Sequence, residues 1–195
     1  MRDYCSQCHY PLRTCVCAHV QQVHSPVSVW LIQHPRERDH AKNTARLVSL
    51  CVPDAHCIPA DDNQRINSLA DRCQQQPSAV IYPGPASMPW ESHAEDAPQA
   101  FTNLVFLDGS WRQAKGLWLA HPWLQRLPSF HFSANPASAY AIRHTDGEHH
   151  LSTLEAVAYS LTTGYGTDTA ALLRLQHAMQ AHWQGPACHR RGHNR

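Results

Sequence analysis

The sequence predicts an α/β fold: a parallel sheet flanked by helices, preceded by a small cysteine-bound module. Short runs of four to six apolar residues alternate with longer segments of helical composition. Apart from Ser28 those runs are apolar, which suits strands covered on both faces, as in a parallel sheet. Strands that alternate with helices build a sheet wrapped on both sides. The length, 195 residues, suits one main domain, and 43% hydrophobic with 16% charged residues is the composition of a chain that buries a core.

The cysteines come first in the chain. Four of the eight, Cys5, Cys8, Cys15 and Cys17, fall within thirteen residues. Cys-x2-Cys followed by Cys-x-Cys places four thiolates close enough for one tetrahedral zinc ion, with His9 or His19 able to replace one thiolate. Four cysteine ligands leave no open position, so the expected role is structural. So short a module lacks a core of its own, and zinc ligation supplies on the order of 10 kcal/mol. Residues 1–20 are read as this module. Cys51, Cys57, Cys73 and Cys188 are read as small apolar residues or free thiols.

The main domain is read as 27–184. Val27-Ser28-Val29-Trp30-Leu31-Ile32 is a strand, and Ala41 to Leu50 a helix. Ala79-Val80-Ile81-Tyr82 is a strand stopped by Pro83-Gly84-Pro85. Leu104-Val105-Phe106-Leu107 is another, stopped at Asp108-Gly109, and Trp111 to Leu119 follows as a helix. Ser152-Thr153-Leu154-Glu155 is a capping box that starts a helix ending near Gly164. A last helix begins near Thr167-Asp168, with Leu172, Leu175, Met179 and Trp183 near one face as core. Residues 185–195 form a basic tail.

Charge excludes a bulk electrostatic argument for nucleic acid, since the formal net charge is +1. Distribution is more informative. Only Lys42 and Lys115 are lysines among the 16 Lys and Arg residues, and arginine is the better planar partner for phosphate. One cluster is Arg36, Arg38, Lys42 and Arg46; another lies in the tail at Arg190 and Arg191. No apolar run approaches the roughly 18 residues of a membrane helix. The opening Met1-Arg2-Asp3-Tyr4-Cys5 lacks the apolar segment of a signal peptide. The expectation is a cytoplasmic protein with no membrane partner.

In an open α/β sheet, ligands collect beyond the carboxyl ends of the strands. Three turns stand there: Gln33-His34-Pro35-Arg36-Glu37, Tyr82-Pro83-Gly84 and Asp108-Gly109-Ser110-Trp111. Asp108 directly after a buried strand is either a rigidly held functional carboxylate or the N-cap of the next helix, and the local sequence leaves both open. Gly109 permits close backbone approach, and Trp111 offers a flat surface to a base.

Asp108-Gly109-Ser110-Trp111 resembles the Asp-x-Thr/Ser-Trp signature of the DTW-domain family. The cysteine cluster, Gln33 to Glu37 with Lys42-Asn43-Thr44-Ala45, Tyr82-Pro83-Gly84, and Ser152 to Ala156 resemble its other blocks in order and spacing. The resemblance implies a SPOUT-like domain whose C-terminal part is threaded as a trefoil knot. It implies a tRNA-uridine aminocarboxypropyltransferase. Such an enzyme moves the 3-amino-3-carboxypropyl group of S-adenosylmethionine to N3 of a tRNA uridine, in bacterial members a variable-loop uridine, and releases 5′-methylthioadenosine.

Under that resemblance Asp108 is the catalytic carboxylate, with Ser110 and Trp111 beside it. Tyr82, Pro83, Gly84, Leu107 and Gly109 hold adenosine. Ser152, Thr153, Glu155 and Ala156, at a helix start, suit the donor's carboxylate. His34, Arg36, Arg38, Lys42, Arg112, Lys115, Arg190 and Arg191 are the RNA candidates, with Arg143 a weaker one. The expected partners are tRNA and S-adenosylmethionine, and the chain is compatible with a monomer. An RNA methyltransferase, a ribosomal RNA transferase and a non-enzymatic zinc-dependent RNA-binding module are the rivals.

Overall fold

The three apolar runs do form adjacent strands. In the computed structural model the described residues are 3–96, 99–134, 136–142 and 151–182. The run at 27–32 becomes β1 (Ser28–Gln33), that at 79–82 becomes β3 (Ser78–Ile81), and that at 104–107 becomes β5 (Asn103–Asp108). β2 (Ala55–Pro59), β4 (Met88–Pro89) and β6 (Ser129–His131) complete a six-stranded sheet. Its order is β2-β1-β5-β3-β6-β4, and every paired neighbour is parallel.

Alternate side chains point to opposite faces of a strand, and two cores result. Val29, Leu31, Ala79, Leu104, Phe106 and Phe130 lie on one face. They pack against α1 (Ala45–Cys51), α5 (Thr153–Tyr165) and α6 (Ala170–Ala181), with Trp90 from α3 (Trp90–Asp96). Ile32, Val80 and Val105 lie on the other, against α2 (Asn63–Gln75) and α4 (Trp111–Ala120). Each fully buried leucine, such as Leu154, Leu161 or Leu172, contributes roughly 2 kcal/mol relative to exposure.

Several boundaries differ from those read in the sequence, each for a physical reason. The helix read from Ala41 begins at Ala45, because Asn43 accepts from the Arg46 amide at 3.2 Å and residues before it form turns. The final helix begins at Ala170, where the Asp168 carboxylate accepts from its first amide. β2 and α2 escape the sequence reading. β2 is a half-exposed edge strand, and α2 buries only Ile66, Leu69 and Cys73. Cys51 and Cys73 are buried, in keeping with their reading as apolar residues. Trp183 and Cys188 lie outside the described residues. Among the described residues no helix is long and apolar enough to cross a membrane.

The cysteine module is not set apart from the main core. Cys8, Tyr10 and Val16 are buried in the same cluster as Leu47, Val48 and Leu172. Arg46 stacks over the Tyr10 ring at 5.1 Å and donates to the His9 carbonyl.

Candidate active site

The register of two strands builds the site. β1 and β5 are parallel neighbours with Gln33 opposite Asp108. Both residues share the parity of Leu31 and Phe106, so both point to the face covered by α5. Gln33 Nε2 donates to Asp108 Oδ2 at 2.9 Å, and Thr153 Oγ1, at the first residue of α5, donates to Oδ1 at 2.6 Å. The Asp108 carbonyl accepts from the His34 amide at 2.9 Å. Asp108 is 6% exposed. Each oxygen thus accepts a charge-assisted bond, which fixes the orientation of the carboxylate.

The choice left open for Asp108 is thereby decided against the helix cap. Ser110 is the N-cap of α4: its hydroxyl accepts from the Gln113 amide, and the Gln113 side chain accepts from the Ser110 amide at 2.6 Å. Gly109 lies between them under close contact. A Cβ there would stand 2.9 Å from Gln113 Cβ.

A cavity of about 740 Å³ opens over the carboxyl ends of β3, β5 and β6. Most of the residues expected at the site line it: Tyr82, Pro83, Leu107, Asp108, Gly109, Ser110, Trp111, Arg112, Ser152, Thr153 and Ala156. Two do not. Gly84 sits against the Trp118 indole, itself stacked on Tyr82 at 4.9 Å. Glu155 stands behind the wall, where its carboxylate accepts from Ser138 Oγ, the Ala139 and Ser152 amides, and Gln176 Nε2. It joins the capping box at Ser152 to the stretch that follows β6.

That wall has a second carboxylate anchor. Glu91 in α3 accepts from the Ser133 amide and hydroxyl, the Ala134 amide and the Tyr159 hydroxyl, all within 3.1 Å. Burial would raise its pKa, but the Ser133 amide and the other donors outweigh it and hold the carboxyl well below the usual range, at about 2. A depressed folded-state pKa gives stability that is fully present above the unfolded value of about 4.5 and is lost as pH falls towards 2. The thermal midpoint of the wild type should fall more steeply across that window than that of Glu91→Gln. Parallel midpoint curves from a pH series would refute the clamp.

The basic candidates are arranged differently. Arg36, in the turn Pro35–Glu37, and Arg38, just after it, are exposed, and His34 Nδ1 accepts from the Arg36 amide. Arg38 pairs with Asp61 at 3.0 Å, both well exposed, a contact worth little in water. Lys42 Nζ donates to the Ile142 carbonyl, and the Lys42 carbonyl accepts from the Tyr140 hydroxyl. Arg112 and Lys115 are exposed on α4. Arg143, Arg190 and Arg191, with the basic tail, lie outside the described residues.

Sequence reading missed Gln33 as the partner of Asp108. It also missed the buried polar wall of Glu37, Asn43 and Thr44, together with His131 and Tyr140. The first four stand in blocks that had been singled out, but nothing local distinguishes a buried polar side chain from a solvated one.

At the cysteine module, the Sγ atoms of Cys5, Cys8, Cys15 and Cys17 all lie within 4.8 Å of one another, with Cys5–Cys17 and Cys8–Cys15 at 3.6 Å. Thiolates about 2.3 Å from a shared tetrahedral ion stand about 3.8 Å apart, so this donor set fits a metal ion. The module also braces the cavity. The Tyr10 hydroxyl donates to the Asn43 carbonyl, and Asn43 Nδ2 donates to the Glu37 carbonyl.

Fold and site define a class: a parallel α/β protein with a ligand-sized cavity at the carboxyl edge, a buried aspartate on its floor and a four-cysteine cluster bracing it. The DTW-domain family model matches residues 2–184. The chain belongs to the DTW-domain family. It is 26% identical over 167 residues to tRNA-uridine aminocarboxypropyltransferase 2 of Macaca fascicularis, covering 83% of this chain and 56% of that protein. It is 29% identical over 168 residues to the protein of the same name from Mus musculus, with the same coverage. Against that from Drosophila melanogaster it is 30% identical over 167 residues, covering 82% of this chain and 66% of the relative. The chain thus spans little more than half the length of its mammalian relatives. No solved structure matches it.

Proposed function

We propose that this protein is a tRNA-uridine aminocarboxypropyltransferase that uses S-adenosylmethionine as donor. The acceptor is N3 of a tRNA uridine, a variable-loop uridine by the resemblance to bacterial members. The observation that carries this reading is Asp108, a buried carboxylate held by Gln33 and Thr153 on the floor of a cavity large enough for donor and base together.

N3 of uridine must lose its proton before it attacks. Asp108 accepts the imide proton or holds the imide in line. N3 then bonds to the γ-carbon of the donor's methionine part and the carbon–sulfur bond breaks. The electron pair passes to sulfur, so the cationic sulfonium becomes the neutral thioether of 5′-methylthioadenosine. Three carbons of a sulfonium are open to attack, and selection of the γ-carbon is a matter of position. The amides at the start of α5 beside Ser152 and Thr153 suit the donor's carboxylate. Tyr82, Pro83 and Leu107 suit its adenosine. Trp111, 49% exposed at the cavity rim, offers a platform on which the target base stacks.

The four cysteines hold zinc in this reading. Bound zinc supplies folding free energy, and the chemistry takes place at Asp108. A SPOUT-like domain with a knotted C-terminal part belongs to this reading by the family resemblance, and the parallel six-stranded sheet suits it. A cytoplasmic enzyme acting as a monomer completes the proposal.

Incubation of the protein with total tRNA and S-adenosylmethionine, followed by mass analysis of nucleosides, tests it. A uridine carrying the four-carbon amino-acid fragment, with release of methylthioadenosine, is expected. A product heavier by one methyl, or tRNA bound without methylthioadenosine release, would overturn it.

A further inference from the structure

Beyond Trp111 at the cavity rim, the outer face of α4 carries exposed residues that join neither core. Its six exposed residues are Trp111, Arg112, Lys115, Gly116, Leu119 and Ala120, and α4 contains no acidic residue. Leu119 is 60% exposed. Gly116 stands in mid-helix, where glycine is the least favourable residue apart from proline. A Cβ built on it meets nothing within 4 Å, so no internal packing requires a glycine there. An open glycine on an exposed helix lets another backbone come close.

The face is also continuous with the cavity. Trp111 and Arg112 line the rim, and the helix runs away from it for about 15 Å. Two cations with no ion pair among the described residues suit a polyanion. A protein partner favours a patch depleted of charge at its centre, whereas Lys115 stands beside Gly116 in the middle of this one. We infer that the outer face of α4 seats the RNA strand bearing the target base, with Gly116 the point where the strand's backbone comes nearest. The inference rests on the reading that the acceptor is RNA. It adds a track that delivers the base past Trp111 into the cavity.

The test uses the full chain, total tRNA and S-adenosylmethionine. A Cβ at position 116 meets nothing within 4 Å and the position is exposed, so Gly116→Ala and Gly116→Glu should both fold, which their thermal midpoints check. Gly116→Ala should raise the thermal midpoint by about 2–4 °C. Gly116→Glu, which places bulk and negative charge on the track, should weaken tRNA binding at least ~10-fold while S-adenosylmethionine affinity stays unchanged. Lys115→Ala should lower the slope of log affinity against log salt by about one. If the wild type binds tRNA and Gly116→Glu binds it equally, the α4 track is wrong and the RNA acceptor stands. If the wild type binds no tRNA, the acceptor reading itself fails. If Gly116→Glu instead abolishes concentration-dependent self-association in sedimentation, the face is a contact between copies, and the RNA assignment is overturned.

Discussion

Asp108→Asn should lower kcat for aminocarboxypropyl transfer by about 100- to 10,000-fold, the range that a positioned general base supplies. Donor affinity and thermal stability should change little. An amide matches the carboxylate in shape, and Gln33 can turn its own amide to remain bonded across the β1–β5 pair. The variant also separates two roles. If Asp108 removes the N3 proton, the acid limb of the kcat/KM profile disappears in Asp108→Asn. If Asp108 only holds the imide in line, the limb survives at a lower rate. Near-normal turnover would end both assignments. Thr153→Val is the companion change. It removes the hydroxyl donated by Thr153 to Asp108 and leaves the Gln33 amide in place.

Removal of metal should produce the other large effect. Protein purified without chelator should carry one zinc per chain. Its removal, or Cys8→Ser, should lower the thermal midpoint by about 10 °C or more, since a structural zinc site contributes folding free energy outright. Cys8 is fully buried against the main core, so loss of the module exposes part of that core. The damage should reach the cavity as well. Tyr10 bonds to Asn43, and Asn43 bonds to Glu37 on the cavity wall. Affinity for S-adenosylmethionine should therefore fall with the metal, although none of the four clustered cysteines lines the cavity. Metal-free protein with an unchanged midpoint on chelation would refute the assignment.

Much of this site was legible as local pattern. Asp108-Gly109-Ser110-Trp111 follows an apolar strand, and the structure puts all four residues on the cavity. The Ser152 capping box is read from four letters and found as read. Four cysteines within thirteen residues point to one another by spacing alone, and their sulfurs do gather. Such features need only neighbours in the chain, and short-range chemistry reports them faithfully.

Residues whose meaning depends on distant partners were not legible. Gln33 is an ordinary polar residue after a strand until β5 lies beside β1 and brings Asp108 opposite it, 75 residues later in the chain. Glu91 is an exposed-looking helix carboxylate until the residues after β6 close over it. Glu155 could be read as cap or ligand contact, and its four bonds make it a brace.

Asp108 itself shows where the division falls. Composition, periodicity and motif were enough to place a carboxylate at the end of a buried strand, with a helix start just after it. They could not say whether it caps that helix, because aspartate and serine two residues apart both suit an N-cap. Tertiary structure decided it. The sheet order made β1 the neighbour of β5, the side-chain period turned Gln33 and Asp108 to one face, and the start of α5 brought Thr153 to the other oxygen of the same carboxylate. Ser110 took the cap, and Asp108 was left facing the cavity.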